Sequence, residues 1–232
     1  MSQDATVCII LARAGSKRLP GKNTHLLLGR PLYAWAVDAA LEAGCFSHVV
    51  FSTDDEEILR GLTAWPQVLA VPRPPELAGD DVVGWRVCQH LMADLPSVFR
   101  TADAFCLLTP CHPFRTGRHV REAMEHMGQA NADAMITTSR FPFPPGFTLD
   151  ERDGWLTPTW QGLVRKGQHT PKIHPNGAAL AVRLEAFARH GHVYTERTIG
   201  HHLPWPWALD IDEAEDFAMA ELLAPCILGG GR

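Results

Sequence analysis

The chain has 232 residues, and none of its six cysteines stands in a C-x-x-C pair. Cys8, Cys45, Cys88, Cys106, Cys111 and Cys226 are scattered, which argues against a disulfide framework and for a reducing compartment. The twelve histidines are dispersed too. Neither His201-His202 nor the pair His169/His174 has a carboxylate or thiol at zinc-site spacing, so no transition-metal centre is expected. No apolar run approaches the roughly 20 residues of a membrane span. The opening Met1-Ser2-Gln3-Asp4 lacks the cationic start and apolar core of a secretory signal. Cationic excess is missing as well: 21 Lys and Arg against 26 Asp and Glu leave a net charge of −5. Nucleic acid and anionic membrane are therefore poor partners. Together these absences predict a cytoplasmic protein with no nucleic-acid and no membrane partner. Neither G-x-x-x-x-G-K-[ST] nor G-x-G-x-x-G occurs, so the two commonest phosphate-loop fingerprints are absent.

What remains is 46% hydrophobic and 20% charged, the composition of one globular domain. Short β-branched runs alternate with helical patterns. Strands are expected over residues 2–11, 49–52, 67–71, 102–108 and 134–138. Between them, residues 32–43, 53–63, 82–95 and 116–127 carry helical spacing, with Gly44 as a stop and Thr53 as a cap. Strand–helix alternation argues for an α/β fold with a mostly parallel sheet sandwiched by helices. Residues 140–174 change texture, with prolines, aromatics and no helical period, and read as an insertion of hairpins and loops. Residues 178–182 return to strand, 205–211 form a last strand with acids at its end, and 211–223 form a last helix. The whole of 1–232 is expected to be a single domain carrying the 140–174 insertion.

Two stretches bear chemistry. The first is the loop after the first strand, Leu11-Ala12-Arg13-Ala14-Gly15-Ser16-Lys17-Arg18-Leu19-Pro20-Gly21-Lys22-Asn23. Its glycines let backbone approach a ligand and its four cations face negative charge, which suits a polyphosphate at the carboxyl end of a strand. A solvated basic turn is the plainer reading. The second is Asp210-Ile211-Asp212. On a strand, residues two apart share a face, and two carboxylates there suit Mg²⁺. Asp212 could instead simply cap the last helix.

The first of these stretches resembles the signature of the acylneuraminate cytidylyltransferases, including the pseudaminic and legionaminic acid branches. Ser52-Thr53-Asp54-Asp55-Glu56-Glu57-Ile58, Arg73-Pro74-Pro75-Glu76-Leu77, Pro113-Phe114-Arg115-Thr116-Gly117, Pro175-Asn176-Gly177 and Asp210-Ile211-Asp212 agree with that family in order and spacing. The resemblance implies a nucleotide-diphospho-sugar-transferase-like fold with a dimerisation insertion at 140–174, and hence a homodimer. It implies CMP transfer from CTP to the anomeric hydroxyl of a nonulosonic acid, with Mg²⁺ as cofactor. Leu11, Ala12, Arg13, Ala14, Gly15, Lys22, Asn23, Arg73 and Asp80 would then line the nucleotide site. Arg13, Lys22 and Asp212 would be catalytic, and Asp210 and Asp212 would hold the metal. Thr109, Asn176 and Gly177 would face the sugar acid, and Arg165 or Lys166 would meet its carboxylate.

The chain departs from that pattern in places. Asp80, Val82 and Gly84 stand where small hydroxyl residues often face the base, Thr109 replaces a glutamine, and Cys111-His112 replaces a Thr/Ser pair. Competing readings are a CMP-Kdo-type or other-base nucleotidyltransferase, a non-catalytic nucleotide-sugar binding module and a glycosyltransferase. Retention of Arg13, Lys22, Asp210 and Asp212 disfavours a mere binder, and the position of the acids before the last helix disfavours a glycosyltransferase.

Overall fold

The computed structural model describes residues 5–141, 145–146, 148–159 and 172–229. In chain order, β1 (Thr6–Leu11) leads to the short hairpin β2 (Leu26–Leu27) and β3 (Arg30–Pro31), then α1 (Leu32–Ala43) and β4 (Phe46–Thr53). Next come α2 (Glu56–Gly61), β5 (Val68–Pro72), α3 (Gly84–Asp94), α4 (Pro96–Phe99) and β6 (Ala104–Leu108). After these follow α5 (Gly117–Gln129), β7 (Ala134–Arg140) and the hairpin of β8 (Leu149–Arg152) and β9 (Trp155–Pro158). The chain closes with β10 (Ile173–Arg183), α6 (Leu184–His190), β11 (Thr198–His202) and α7 (Ala214–Ile227).

Seven strands form one sheet in the order β11-β7-β10-β6-β1-β4-β5. Only β10 runs against its neighbours β6 and β7; the other pairings are parallel. The α/β expectation is thus met. In β1 side chains alternate between two buried faces. Cys8 and Ile10 join a core with α1 and α5, while Val7 and Ile9 join a second core with α3 and α6. That is why the run has no polar alternation. Gly117 starts α5 where a Cβ would lie 2.5 Å from that of Glu42, so glycine lets α5 close on α1. A third cluster of Leu19, Leu27, Leu32, Phe114 and Ile211 packs α7 under the first loop.

Three expectations are corrected. Residues 205–211 are not a strand: Pro204 and Pro206 lack the N–H a ladder requires, and the segment turns instead. The last strand is β11, paired parallel with β7. The cap of α2 is Asp55, not Thr53: its Oδ1 accepts from the amides of Glu57 at 2.8 Å and Ile58 at 3.3 Å. Finally, β10 is longer than expected because Asn176-Gly177 forms no turn. It lies within the strand, where the register to β7 shifts between Pro175 and Leu180. No described helix is long and apolar enough to cross a membrane.

Candidate active site

The first loop leaves β1 beside the carboxyl ends of β4 and β6, with its start pinned to β4 and the turn that follows it. The Ala12 amide donates to Ser52 O at 3.2 Å and the Ala14 amide to Asp54 Oδ1 at 3.0 Å. Asn23 is buried and closes the loop on itself, donating from Nδ2 to Arg13 O at 3.0 Å. Gly21 supplies a left-handed turn (φ 67°) that brings Lys22 back toward the sheet.

Each cation of this loop is met by a carboxylate. Arg13 Nη1 donates to Asp80 Oδ1 at 2.7 Å, and Lys17 Nζ lies 2.5 Å from Asp80 Oδ2. Arg18 Nη2 donates to Asp212 Oδ2 at 2.7 Å, and Lys22 Nζ to Asp212 Oδ1 at 2.9 Å. Lys22 is the deepest of the four, with only 13% of its side chain exposed, and it also donates to Ile211 O at 2.7 Å. Bonds to Lys17 and Arg13 hold Asp80 below the usual carboxylate range. Burial pushes Asp212 up, but Lys22 and Arg18 outweigh it and hold that carboxyl low. Arg73 is buried nearby and donates from Nη2 to Ser52 O at 2.8 Å; burial pulls its guanidinium down from the ordinary value.

Asp212 is not the cap of α7. Glu213 and Asp216 form that cap between them, and Asp216 Oδ2 also accepts from the Asp212 amide at 3.0 Å. The plainer reading of Asp212 thereby loses its basis. The two acids flank buried Ile211, whose amide donates to Cys111 O at 2.9 Å. They also have different neighbours. Asp212 faces the loop cations, while Asp210 Oδ1 is buried with no hydrogen-bond partner and lies 3.9 Å from His112 Nε2. An unmatched carboxylate oxygen next to a second carboxylate fits a hard divalent cation such as Mg²⁺.

Beyond the carboxyl end of β6, Thr109 Oγ1 lies 3.0 Å from His112 Nδ1 and 3.4 Å from Gly177 O. His112 Nε2 lies 2.7 Å from Asn176 O, so this nitrogen carries the proton and donates. Gly177 holds a left-handed conformation (φ 77°) with the His112 ring 3.6 Å from where a Cβ would stand. Asn176 accepts from the Ala178 amide at 3.1 Å and donates to Ser139 Oγ at 2.9 Å. Thr109, Asn176, Gly177 and Asp210 therefore share one wall around His112. Arg165 and Lys166 lie outside the described residues. Sequence reasoning missed Arg18 as a partner of Asp212, Asp54 as an anchor of the loop, and His112 and Arg115 as the bolts between the loop after β6 and β10. Only the replacement of a Thr/Ser pair by Cys111-His112 pointed toward His112.

Burial strips the His112 ring of water and pushes its pKa down to about 4, against the opposing pull of Asp210. Because the folded value lies below the unfolded value of 6.5, the unfolded chain takes up the proton first as pH falls. The stability held by the neutral ring is full above about pH 7 and is lost as pH falls from about 6.5 to about 4. With a chelator present, lowering pH from 7.5 to 5 should remove about 2 kcal/mol through this group. Urea midpoints would read the loss, and His112→Asn should flatten that part of the profile. An unchanged slope in the variant would remove His112 as its source.

A family model described as cytidylyltransferase matches residues 7–225. The chain belongs to the cytidylyltransferase family. It is 30% identical over 215 residues to an N-acylneuraminate cytidylyltransferase of Streptococcus agalactiae, covering 91% of this chain and 51% of that protein. This chain thus spans about half the length of that relative. It is 31% identical over 227 residues to the CMP-N,N'-diacetyllegionaminic acid synthase of Legionella pneumophila, covering 94% and 95% of the two. Among solved structures, CMP:2-keto-3-deoxy-manno-octonic acid synthetase complexed with CTP superposes with a TM-score of 0.70 at 17% identity, over 96% and 99% of the two chains. At that identity the likeness establishes the shared fold. The family resemblance read from the first loop and the later motifs is borne out.

Proposed function

We propose that this cytidylyltransferase joins CMP from CTP to the anomeric hydroxyl of a nonulosonic acid and releases pyrophosphate. The observation that carries the reading is the loop between β1 and α1, whose cations are each held on a carboxylate at the carboxyl edge of the sheet. Asp80 and Asp212 stand where anionic oxygens of a triphosphate would stand. On binding, phosphate oxygens replace the carboxylates on Arg13 and Lys22, so the cations are already oriented when the ligand arrives. The names of relatives about 30% identical to this chain support the choice of base and the class of acceptor.

In the transfer, the anomeric oxygen attacks the α-phosphorus, its hydroxyl proton passes to solvent, the bond to the β-phosphate breaks and pyrophosphate leaves. Arg13 and Lys22 spread the charge that gathers on the phosphate oxygens. Asp210 and Asp212 would hold Mg²⁺, which when bound neutralises the triphosphate and orients it. Asp212, held low by Lys22 and Arg18 before the nucleotide binds, would turn from Lys22 to the metal, so its task is to place cations rather than to take the hydroxyl proton. Thr109 and the Asn176-Gly177 bulge would meet the sugar acid.

The deciding experiment measures pyrophosphate release with CTP, ATP, GTP and UTP against a panel of 2-keto sugar acids, with and without Mg²⁺. Release is expected with CTP, Mg²⁺ and at least one nonulosonic acid. Release with no pair would sink the reading, and turnover confined to Kdo would move it to that branch.

We also propose a cytoplasmic homodimer. Its support is the hairpin of β8 and β9, whose Leu149, Trp155 and Leu156 are exposed, Trp155 by 79%. Apolar surface of this kind on a two-stranded hairpin suits a second copy of the chain. Trp155→Glu should shift the species seen by light scattering from dimer to monomer with little change in helix content. A variant that stays dimeric would place the interface elsewhere.

A further inference from the structure

Cys111 and His112 sit between Pro110 and Pro113, so the backbone that presents both side chains is stiff. The fold brings Asp210 to them from 98 positions further along the chain. One ligand atom from each of the three residues lies within 4.8 Å of the other two, and among the described residues this is the one such trio. The Cys111 sulfur stands 3.4 Å from His112 Nδ1. A tetrahedral zinc shell separates its donors by about 3.6 Å, so the sulfur–nitrogen edge is already in place. The tautomer is right as well. With Nε2 donating to Asn176 O, the lone pair lies on Nδ1, which faces the sulfur and also the Thr109 hydroxyl at 3.0 Å, a hydrogen bond that a bound cation would displace. An outer hydrogen bond to a backbone carbonyl is what orients a ligating imidazole in metal sites.

The third donor is an oxygen without a cation. Asp210 Oδ1 is buried and unpartnered, while Lys22 is committed to Asp212 and Ile211 O. The Asp210 side chain as a whole is 43% exposed, so the carboxylate borders the cleft while Oδ1 itself points inward.

We propose that Cys111, His112 and Asp210 bind a thiophilic divalent cation of the zinc class, through sulfur, nitrogen and oxygen, with a fourth position open to the cleft. The cation takes the place of the thiol proton, which leaves to solvent. This differs from the oxygen-only chemistry that suits Mg²⁺. It stands on the ligand geometry alone and does not depend on the transferase reading. Its consequence for that reading is competition: a thiophilic ion at this site withdraws Asp210 from Asp212.

The test uses the full chain, freed of metal by a chelator, in a Cys226→Ser background that removes an exposed thiol. Titration with Co²⁺ should give one equivalent of binding, a sulfur-to-cobalt charge-transfer band and the intense visible bands of a tetrahedral ion. A large excess of Mg²⁺ should leave the spectrum unchanged. Cys111→Ser should abolish the charge-transfer band, and His112→Asn should weaken Co²⁺ binding by at least about tenfold. Asp212→Asn should leave the band in place. Circular dichroism checks each fold, and Cys111→Ala replaces any variant that fails it. Absence of the thiolate band, its survival in Cys111→Ser, or displacement of Co²⁺ by Mg²⁺ would each overturn the proposal.

Discussion

Lys22→Ala should slow pyrophosphate release by about a hundred- to a thousandfold, the range seen when one preorganised donor is removed from a developing oxyanion. The size of the effect follows from where Lys22 sits. Of the four loop cations it alone is largely buried, and its ammonium is fixed by Ile211 O and Asp212. A charge shielded from water acts on phosphate oxygens far more strongly than an exposed one. Lys17, with 78% of its side chain exposed, is the internal control. Lys17→Ala should change turnover only a few-fold, and mainly through the KM for CTP. Steady-state kinetics on variants with unchanged thermal melts would decide the matter. A Lys22→Ala enzyme within tenfold of the parent would take Lys22 out of the chemistry.

Arg115→Ala should destabilise the chain by about 3–5 kcal/mol, through the cavity it leaves and the carbonyls it unpairs. The side chain is fully buried among the thiols of Cys8, Cys106 and Cys111, and burial depresses its pKa. Its Nη1 donates to Thr109 O at 3.1 Å and Ala178 O at 2.6 Å, clamping the loop after β6 to β10. Its Nε and Nη2 have no partner, so the guanidinium is held at an energetic disadvantage for the sake of that clamp. Alanine would leave a cavity and orphan two carbonyls. Arg115→Met would fill most of the space and keep only the second fault, so it should cost about 2 kcal/mol. Urea unfolding would measure both. In the methionine variant the KM for the acid should rise while that for CTP holds, since Thr109 and Gly177 line the wall proposed for the acceptor. Equal rises would mean that the clamp supports the whole cleft.

Much of this architecture is legible before any coordinates. The run Val7 to Leu11 reads as a buried strand because both of its faces meet helices. Gly44 stops α1 in the left-handed conformation expected of it (φ 64°). Where reading fails, tertiary structure has overridden a local pattern. Trp205-Pro206-Trp207-Ala208-Leu209-Asp210-Ile211 mixes apolar and acidic residues much as an edge strand would, but its prolines cannot join a ladder. Thr198–His202 looks too polar for a strand, yet β7 pairs with all five residues. Asn176-Gly177 has the composition of a turn but serves as a bulge. The site shows the same division. Arg13, Lys22 and Asp212 belong to motifs and could be found by spacing. The convergence of Cys111, His112 and Asp210 could not, since 98 residues separate the acid from the imidazole and only the sheet order brings them together.

The reversed direction of β10 has one more consequence. Arg140 and Ile173, which bracket the segment between β7 and β10, are directly paired across neighbouring strands, and the Phe141 amide donates to Lys172 O at 3.0 Å. Paired residues of antiparallel strands stand only about 5 Å apart. Whatever is spliced between those ends, long or short, begins and finishes at nearly one point on the sheet, and lengthening it adds little closure entropy. The loop edge of the sheet is thereby mechanically insulated from the segment's length. A segment of another length could stand there without resetting a single hydrogen bond around Arg13 and Lys22.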